Sequence, residues 1–164
     1  MKKLLLIAVF IIFGFAGSYA QGEIKMGVNA GIPLGDADDT SALNFGADLA
    51  YLFGVADVFR VGPLVGYSHF LGEGDRVDAH FIPVAASGRF GLSDAFFIGA
   101  DLGYAIGTED GNDGGFFYRP KLGYDFGIIA LIASYSGIEV NGGSFNSLNL
   151  GIEFGFWYYK RNLS

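Results

Sequence analysis

The sequence lacks cysteine, contains only four prolines and has no long hydrophobic segment beyond its first twenty residues. The absence of cysteine excludes disulfide bonds, thiolate metal sites and lipidation of an N-terminal cysteine. After position 20, no apolar run approaches the roughly 20 residues that a membrane-spanning helix requires. Basic residues are also scarce, 10 against 17 acidic residues. The resulting net charge of −7 argues against nucleic acid as a partner.

Glycine and aromatic residues are abundant in the same chain. There are 27 glycines, 17 phenylalanines and 9 tyrosines, and hydrophobic residues make up 51% of the sequence. A composition rich in glycine and aromatics and poor in proline is typical of many β-strands joined by tight turns. The length of 164 residues is sufficient for one domain.

The first twenty residues form a segment of a different kind. Lys2 and Lys3 precede an apolar stretch over 4–16, and Ser18-Tyr19-Ala20 follows with small residues at the ends of the triplet. This pattern predicts a secretory signal peptide over 1–20, cleaved after Ala20, because the apolar part is short for a membrane anchor. The expected mature chain, 21–164, is a single domain with 8 basic and 17 acidic residues and a net charge of −9.

Eight segments of the mature chain alternate between large apolar residues and small or polar ones. Each has 9 to 12 residues, the length that a tilted strand needs to cross a bilayer. Short connectors alternate with longer acidic ones, as in up-and-down barrels. We therefore predict an all-β fold, an eight-stranded antiparallel up-and-down transmembrane β-barrel. The predicted strands are 23–34, 43–53, 59–70, 79–90, 95–106, 116–126, 128–136 and 147–156, and the longer loops are 35–42, 71–78, 107–115 and 137–146.

The two faces of these strands differ in size and charge. One face carries large apolar residues and no Asp, Glu, Lys or Arg, whereas the other is mostly Gly, Ala and Ser. Because the lumen of an eight-stranded barrel barely accommodates side chains, the bulky face must point outward, toward lipid. The polar residues that then point inward are Lys25, Asn29, Asp48, Arg60, Arg89, Asp101, Arg119, Lys121, Asp125 and Glu153.

The inward charges nearly neutralise one another. Antiparallel pairing about the centres of the connectors predicts Lys121 beside Asp101, and it places Arg60 near Leu52 and opposite Arg89. Two adjacent arginines need carboxylates, which Asp48, Asp125 or Glu153 would supply across the lumen. The network is either a salt-bridged plug or a narrow conduction path, and we favour the plug.

The longer loops are acidic and offer a surface for an extracellular ligand. Divalent cation capture is one interpretation, and a solvated polar surface is the one that we favour. Residues 109–114 superficially suggest a calcium loop, but they lack the ligand spacing of an EF-hand and its closing glutamate. The loops carry Asp36, Asp38, Asp39, Glu73, Asp75, Asp78, Glu109, Asp110, Asp113 and Glu139 against a single base, Arg76.

Two histidines, His69 and His80, flank the second long loop and should lie opposite each other on the outward face. Lipid-modifying barrels place a catalytic His and Ser near this region, and Ser68 adjoins His69. Neighbours on a strand point to opposite faces, however, and the outward face offers no evident orienting carboxylate. We therefore predict interfacial histidines, and we expect no catalytic residue, cofactor-binding residue or metal ligand in the chain.

Aromatic residues gather at both ends of the predicted strands, as in the interfacial girdles of membrane barrels. The turn side carries Phe53, Phe59, Phe96, Phe156, Trp157, Tyr158 and Tyr159, and the loop side carries Tyr67, Tyr104, Phe116, Tyr118 and Tyr135.

The last predicted strand contains a motif. Residues 149–156 read Asn-Leu-Gly-Ile-Glu-Phe-Gly-Phe. This is similar to the C-terminal signal read by the outer-membrane barrel assembly machinery, which would engage the chain through Asn149, Gly151, Phe154 and Phe156. A tail over 157–164 follows the motif, whereas many such barrels end on the aromatic residue.

Together with segments 81–90 and 121–127, this motif makes the chain resemble the small outer-membrane β-barrel proteins of the outer-membrane protein A and X type. The resemblance implies the fold, a location in the outer membrane and lipid as the surrounding partner. Because such barrels differ in role, it implies no activity. We expect a monomeric barrel with a structural or surface-interaction role; the alternatives are a narrow channel for small solutes and a lipid-modifying enzyme.

The motif generates the first test. Replacing Phe154 and Phe156 by Ser should impair insertion, because both lie at the aromatic end of the signal, whereas deletion of 157–164 should matter less. The fraction of protein in the outer membrane with heat-modifiable gel migration measures both effects. Loss of assembly on truncation alone, with the double replacement tolerated, would show that the signal lies elsewhere.

Overall fold

The computed structural model describes residues 22–35, 41–72, 74, 78–109 and 111–157, which contain eight β-strands. The predicted signal peptide lies outside this part of the chain. No helix among the described residues is long and apolar enough to cross a membrane. The strands are β1 (Gly22–Leu34), β2 (Ser41–Ala56), β3 (Phe59–Gly72), β4 (Ala79–Gly91), β5 (Phe96–Gly107), β6 (Gly115–Asp125), β7 (Ile129–Val140) and β8 (Gly143–Trp157).

Each strand pairs antiparallel with its neighbours in the chain, and the sheet closes into a barrel in the order β1 to β8. Closure is made by β1 and β8, whose register runs from Glu23 opposite Trp157 to Leu34 opposite Asn146. A closed sheet leaves no strand edge with unpaired N–H and C=O groups. The predicted all-antiparallel transmembrane β-barrel is therefore confirmed.

The prediction of a fourth long loop over 137–146 was wrong. β7 continues to Val140 and β8 begins at Gly143, so that Asn141 and Gly142 alone connect them. Gly142 has a φ of 95°, a conformation that glycine adopts without steric cost. An Asn-Gly pair between alternating segments is itself a hairpin signal, and the alternation continues through Ile138 and Phe145 on both sides of it.

The observed strand register confirms one predicted residue pair and differs from the prediction at two others. Arg60 lies opposite Arg89, as predicted. Arg60 pairs with Gly54 rather than lying near Leu52, because β2 runs on to Ala56 through an irregularity and leaves a tighter turn.

The hairpin of β5 and β6 shows a similar shift of register. Asp101 lies directly opposite Arg119, and Lys121 is opposite Gly99, two residues from the expected register. The centre of the third long loop therefore lies one residue earlier than the predicted pairing of Lys121 with Asp101 requires. Lys121 still reaches Asp101, since its Nζ lies 2.7 Å from Oδ2 of that carboxylate.

The outward face of the barrel is apolar all the way round. Large hydrophobic side chains on it remain substantially exposed on every strand, up to 73% at Leu150. Soluble monomers rarely expose such continuous apolar surface, so this face is the one that contacts hydrocarbon.

The interior is less uniform than the predicted face of Gly, Ala and Ser. Several large apolar side chains also point inward and are buried, because their positions share the alternation of the small residues. The inward apolar cluster consists of Ala50, Leu52, Leu64, Phe70, Phe81, Ala85, Ala105, Phe117 and Ile138, with Ala79, Val140 and Phe145 packed against it.

The narrow interior generates a test at adjacent positions of β8. A Cβ atom on Gly151 would lie 2.9 Å from the backbone oxygen of Val28 and 3.1 Å from Cβ of Asn29, so the site has no room for a side chain. Gly151→Leu should destabilise the barrel by about 1–3 kcal/mol through overpacking, or prevent refolding. Ile152→Leu, on the outward face, is the matched control and should cost less than about 1.5 kcal/mol.

Denaturant titrations of the barrel refolded into lipid vesicles measure both variants. A tolerated Gly151→Leu with a damaging Ile152→Leu would mean that interior and exterior are reversed.

Candidate functional site

The lumen is the first candidate site, and its turn end is lined by charged residues from β1, β3 and β6. Glu23, on β1, is almost fully buried and receives two cations. Lys25 Nζ lies 2.5 Å from its Oε1, and Arg60 Nη1 donates to its Oε2 at 2.8 Å. Asp125 lies 4.0 Å from Lys25 on the other side. Glu23 is thus a carboxylate partner of Arg60, and it was missing from the predicted set although it alternates in phase with Lys25.

The next layer is a buried bidentate ion pair between β4 and β8. Arg89 donates through Nη1 and Nη2 to the two carboxylate oxygens of Glu153, at 2.6 and 2.5 Å. Both side chains are nearly inaccessible, and the Arg89 guanidinium lies 5.0 Å from the ring centroid of Phe97. This geometry confirms Glu153 as one of the predicted partners of the adjacent arginines. Paired forks of this kind are among the strongest hydrogen bonds in proteins.

Near the middle of the barrel, Arg119 joins two carboxylates from different strands. Its Nη1 donates to Asp48 at 2.8 Å, and its Nε donates to Asp101 at 2.7 Å. Lys121 adds a second cation to Asp101, and Asn29 lies 3.5 Å from Asp48. The carboxylates and cations alternate in space, so that each buried charge has an oppositely charged neighbour.

Toward the loop end, uncharged polar side chains replace the ion pairs. Asn149 Nδ2 donates to Ser136 Oγ and to Ser147 Oγ, both at 3.0 Å, and Ser147 donates to Asn44 at 3.2 Å. Asn44 also donates to Ser68 at 3.0 Å. Ser68 therefore points into the lumen, away from the outward His69, as the strand alternation predicts.

Above this polar layer, the inward aromatic residues close the lumen. Phe70, Phe81 and Phe145 pack with ring centroids 5.1 to 6.2 Å apart, and Phe70 and Phe81 are essentially inaccessible. Phe117 and Ile138 belong to the same inward apolar cluster. Sequence reasoning did not place these side chains inside, although their strand positions have the inward phase.

Cavities in the lumen are small at its centre and larger at its turn end. Two cavities beside Asp48 and Arg119 measure about 20 Å³ each, enough for about one water molecule apiece. A polar cavity of about 410 Å³ opens at the turn end, beneath Lys25, Arg60 and Arg89. The interior thus combines an open, polar turn end with a packed centre and loop end.

The second candidate site lies on the outward wall at the loop end, beyond Tyr67. His69 and His80 are directly opposite each other, as predicted, with ring centroids 4.0 Å apart. The expectation that no carboxylate lies near these histidines was wrong. Asp78, just before β4, places Oδ2 at 2.9 Å from Nε2 of His69, and Glu109 Oε1 lies 3.7 Å from Nε2 of His80. Strand alternation could not reveal Asp78, because that residue lies outside the strands.

The Asp78 carboxylate is held by its surroundings. The backbone N–H of Gly72 donates to Oδ1 at 2.9 Å, and this bond and the contact with His69 lower the pKa of Asp78 below its ordinary value. Hydrogen bonds that the ionised carboxylate accepts stabilise it relative to the protonated acid, which lowers the pKa.

Most of the acidic loop residues lie outside the described part of the chain, namely Asp36, Asp38, Asp39, Glu73, Asp75 and Asp110, together with Arg76. In the described part of 109–114, side chains shape the loop itself. Glu109 accepts from Asn112, and Asn112 Oδ1 accepts from the N–H of Gly114 at 3.0 Å. Glu109 also accepts from the backbone N–H of His80 at 3.0 Å, which ties this loop to β4.

The residues of the proposed assembly signal divide between the two faces of β8. Phe154 and Phe156 point outward and are exposed, opposite Met26 and Ile24 of β1. Asn149 and Gly151 face the lumen, where Asn149 belongs to the polar layer. The predicted girdle residues Tyr158 and Tyr159 lie outside the described chain, whereas Tyr67, Tyr104 and Phe116 are exposed at the loop side.

No protein-family profile matches the chain, and no curated protein sequence matches it. Solved structures match its fold. The outer-membrane protein Ail of Yersinia pestis superposes with a TM-score of 0.59 at 15% identity, covering 83% of this chain and 99% of that one. The N-terminal β-barrel domain of Pseudomonas aeruginosa OprF has a TM-score of 0.52 at 15% identity, covering 84% and 98%. A de novo designed transmembrane β-barrel has a TM-score of 0.54 at 13% identity, covering 82% and 95%. The chain therefore has the fold of small outer-membrane barrels.

The buried ion pair provides a test of the lumen. Glu153→Gln keeps the shape of the side chain but leaves Arg89 without its charged partner. It should destabilise the barrel by roughly 3–5 kcal/mol, the range for breaking a buried pair by removing one member. The matched control, Asp94→Asn, changes an exposed carboxylate in a turn and should be nearly silent.

Unfolding titrations in lipid vesicles measure the difference. Equal stability of the two variants would contradict a stabilising pairing of Glu153 inside the lumen.

Proposed function

We propose that the protein is an integral, monomeric outer-membrane barrel with a structural or surface-interaction role and a lumen that does not conduct solutes. The observation that carries this proposal is the layered filling of the lumen, from the Arg89–Glu153 pair at one level to the packed Phe70 and Phe81 rings above it. An apolar wall on all sides supports residence in a bilayer. The fold shared with Ail and OprF supports the outer membrane as that bilayer.

A narrow channel for small solutes is the first alternative. The charged residues of the lumen would suit a polar path, and the cavity at its turn end is wide enough for water. Against conduction stand the cavities of about 20 Å³ at the centre and the aromatic closure at the loop end. An ion moving through would have to part Arg119 from Asp48 and Asp101.

A lipid-modifying enzyme is the second alternative. The catalytic interpretation needs a serine hydroxyl within reach of His69 or His80 on the outward wall. Ser68 bonds Asn44 inside the lumen, so the adjacent serine is on the wrong side of the sheet. The Asp78 carboxylate contacts the His69 imidazole but supplies no nucleophile.

Charge restricts the extracellular partners that such a barrel would engage. One structure of Ail is a complex with the heparin analogue sucrose octasulfate. The present chain has ten acidic residues against one basic residue in its expected loop segments, so a polyanion would meet repulsion there. We infer that its loop end favours cationic groups or metal ions over sulfated glycans.

Conductance in planar bilayers tests the proposed closed lumen. The wild-type barrel should give no stepwise current, because its centre is ion-paired and its loop end is packed. The variant Phe70→Ala with Phe81→Ala removes the aromatic closure and should also stay silent, since the three layers of ion pairs remain.

Heat-modifiable gel migration of the same samples verifies that each barrel is folded. Reproducible ohmic steps from the folded wild type would contradict the plug and favour the channel. Recovery of the protein as a soluble periplasmic species would contradict membrane residence altogether.

A further inference from the structure

We propose that His69, His80 and Asp78 form a binding site for a borderline divalent transition-metal ion of the zinc class, on the outer wall of the barrel at its loop end. Each residue offers one ligand atom, and these three atoms lie within 4.8 Å of one another. The site does not depend on whether the lumen conducts.

The backbone brings the two imidazoles together. β3 and β4 pair so that His69 and His80 are opposite each other, with both rings on the outward side and their centroids 4.0 Å apart. Opposite residues on adjacent antiparallel strands are among the closest side-chain neighbours in a sheet. The ladder itself therefore fixes the spacing of two of the ligands.

The third ligand is positioned by the loop that joins these strands. Asp78 Oδ2 lies 2.9 Å from Nε2 of His69, while Oδ1 accepts from the N–H of Gly72. An ion bound at lengths of about 2.1 Å in tetrahedral geometry holds its ligand atoms roughly 3.4 Å apart. The His69–Asp78 separation is already shorter than this, and all three ligand atoms lie within 4.8 Å of one another, so side-chain adjustments of about 1.5 Å or less would reach the required spacing.

Neighbouring rings hold the histidines in place. Nδ1 of His80 contacts the Tyr67 hydroxyl at 2.5 Å, which leaves Nε2 for the ion. The His69 ring packs on Phe45 with centroids 4.6 Å apart. Groups that orient a ligating imidazole typically change metal affinity by about 10–100-fold, so this support favours binding.

The donor set selects the class of ion. Two imidazole nitrogens and a carboxylate suit Zn²⁺ and its neighbours in the first transition row. Ca²⁺ prefers six to eight oxygen ligands, and this cluster supplies too few of them. Glu109, whose Oε1 lies 3.7 Å from Nε2 of His80, adds negative charge beside the site.

Partial burial and access both favour binding. The side chains of His69, His80 and Asp78 are 15%, 29% and 40% exposed, so the ligands are sheltered but open toward the loop side. A bound ion would join β3, β4 and the end of the second long loop.

The test uses the full-length barrel purified from membranes in detergent, without a histidine tag and stripped of metal by a chelator. Zn²⁺ is the probe, and competition with a chromogenic indicator measures stoichiometry and affinity. We expect one ion per barrel, and we expect His69→Ala and His80→Ala each to weaken binding by about tenfold or more. A large excess of Ca²⁺ should not displace the ion.

Two further variants make the result decisive. Asp78→Asn leaves both strands unchanged, because Asp78 precedes β4, and should also weaken binding. Glu139→Gln removes an exposed acidic residue near the loop end outside the cluster and should bind as the wild type does. X-ray absorption at the zinc edge should show imidazole ligation. Equal binding by the wild type and the His69→Ala/His80→Ala double variant, or a shell of oxygen ligands alone, would overturn the proposal.

Discussion

The backbone ladder between β1 and β8 is the interaction on which the other features of the barrel depend. It pairs the first strand with the last, and without it both edges would present unpaired N–H and C=O groups to hydrocarbon. Closure at eight strands also makes the lumen narrow. Inward positions must therefore be small, or else fit together closely. Gly151 illustrates the first case and the Phe70–Phe81 pair the second.

Closure also concentrates charge in the one place where the membrane permits it. The outward wall contacts lipid, so the polar side chains of the strands converge on the lumen. There each cation lies beside a carboxylate, as Arg119 does with Asp48 and Asp101. Removal of one partner leaves a buried charge uncompensated, which costs far more than the pair contributes in net stability. The polar lumen is consequently specific in its pairing and sensitive to single substitutions.

Much of this architecture could be predicted from the sequence, because alternation along a strand assigns each residue to one of the two faces of the sheet. It predicted the barrel, the opposition of Arg60 and Arg89, and that of His69 and His80. The register of strands joined by irregular loops was harder to predict. Moving the centre of a loop by one residue shifts every pair across it by two residues, as at Asp101.

The remaining errors have separate physical causes. Asn141-Gly142 makes a tight turn where a long loop was expected, because local turn chemistry outweighed the polarity of the segment. Asp78 was not connected with His69, because loop residues follow no alternation and their contacts depend on the folded path of the chain. The inward phenylalanines were overlooked because an argument from total lumen volume does not exclude a few large side chains at one end.

The opposition of Arg60 and Arg89 has a consequence for closure of the barrel. These arginines face each other across the hairpin of β3 and β4, and like charges directly opposite are destabilising. Their carboxylates come from the two ends of the described chain, Glu23 in β1 and Glu153 in β8. A half-formed sheet that contains the hairpin without the terminal strands lacks the ion pairs that Glu23 and Glu153 supply. The pairing of β1 with β8 thus supplies carboxylates to two arginines in the middle of the described chain, which links the stability of the β3–β4 hairpin to closure of the barrel.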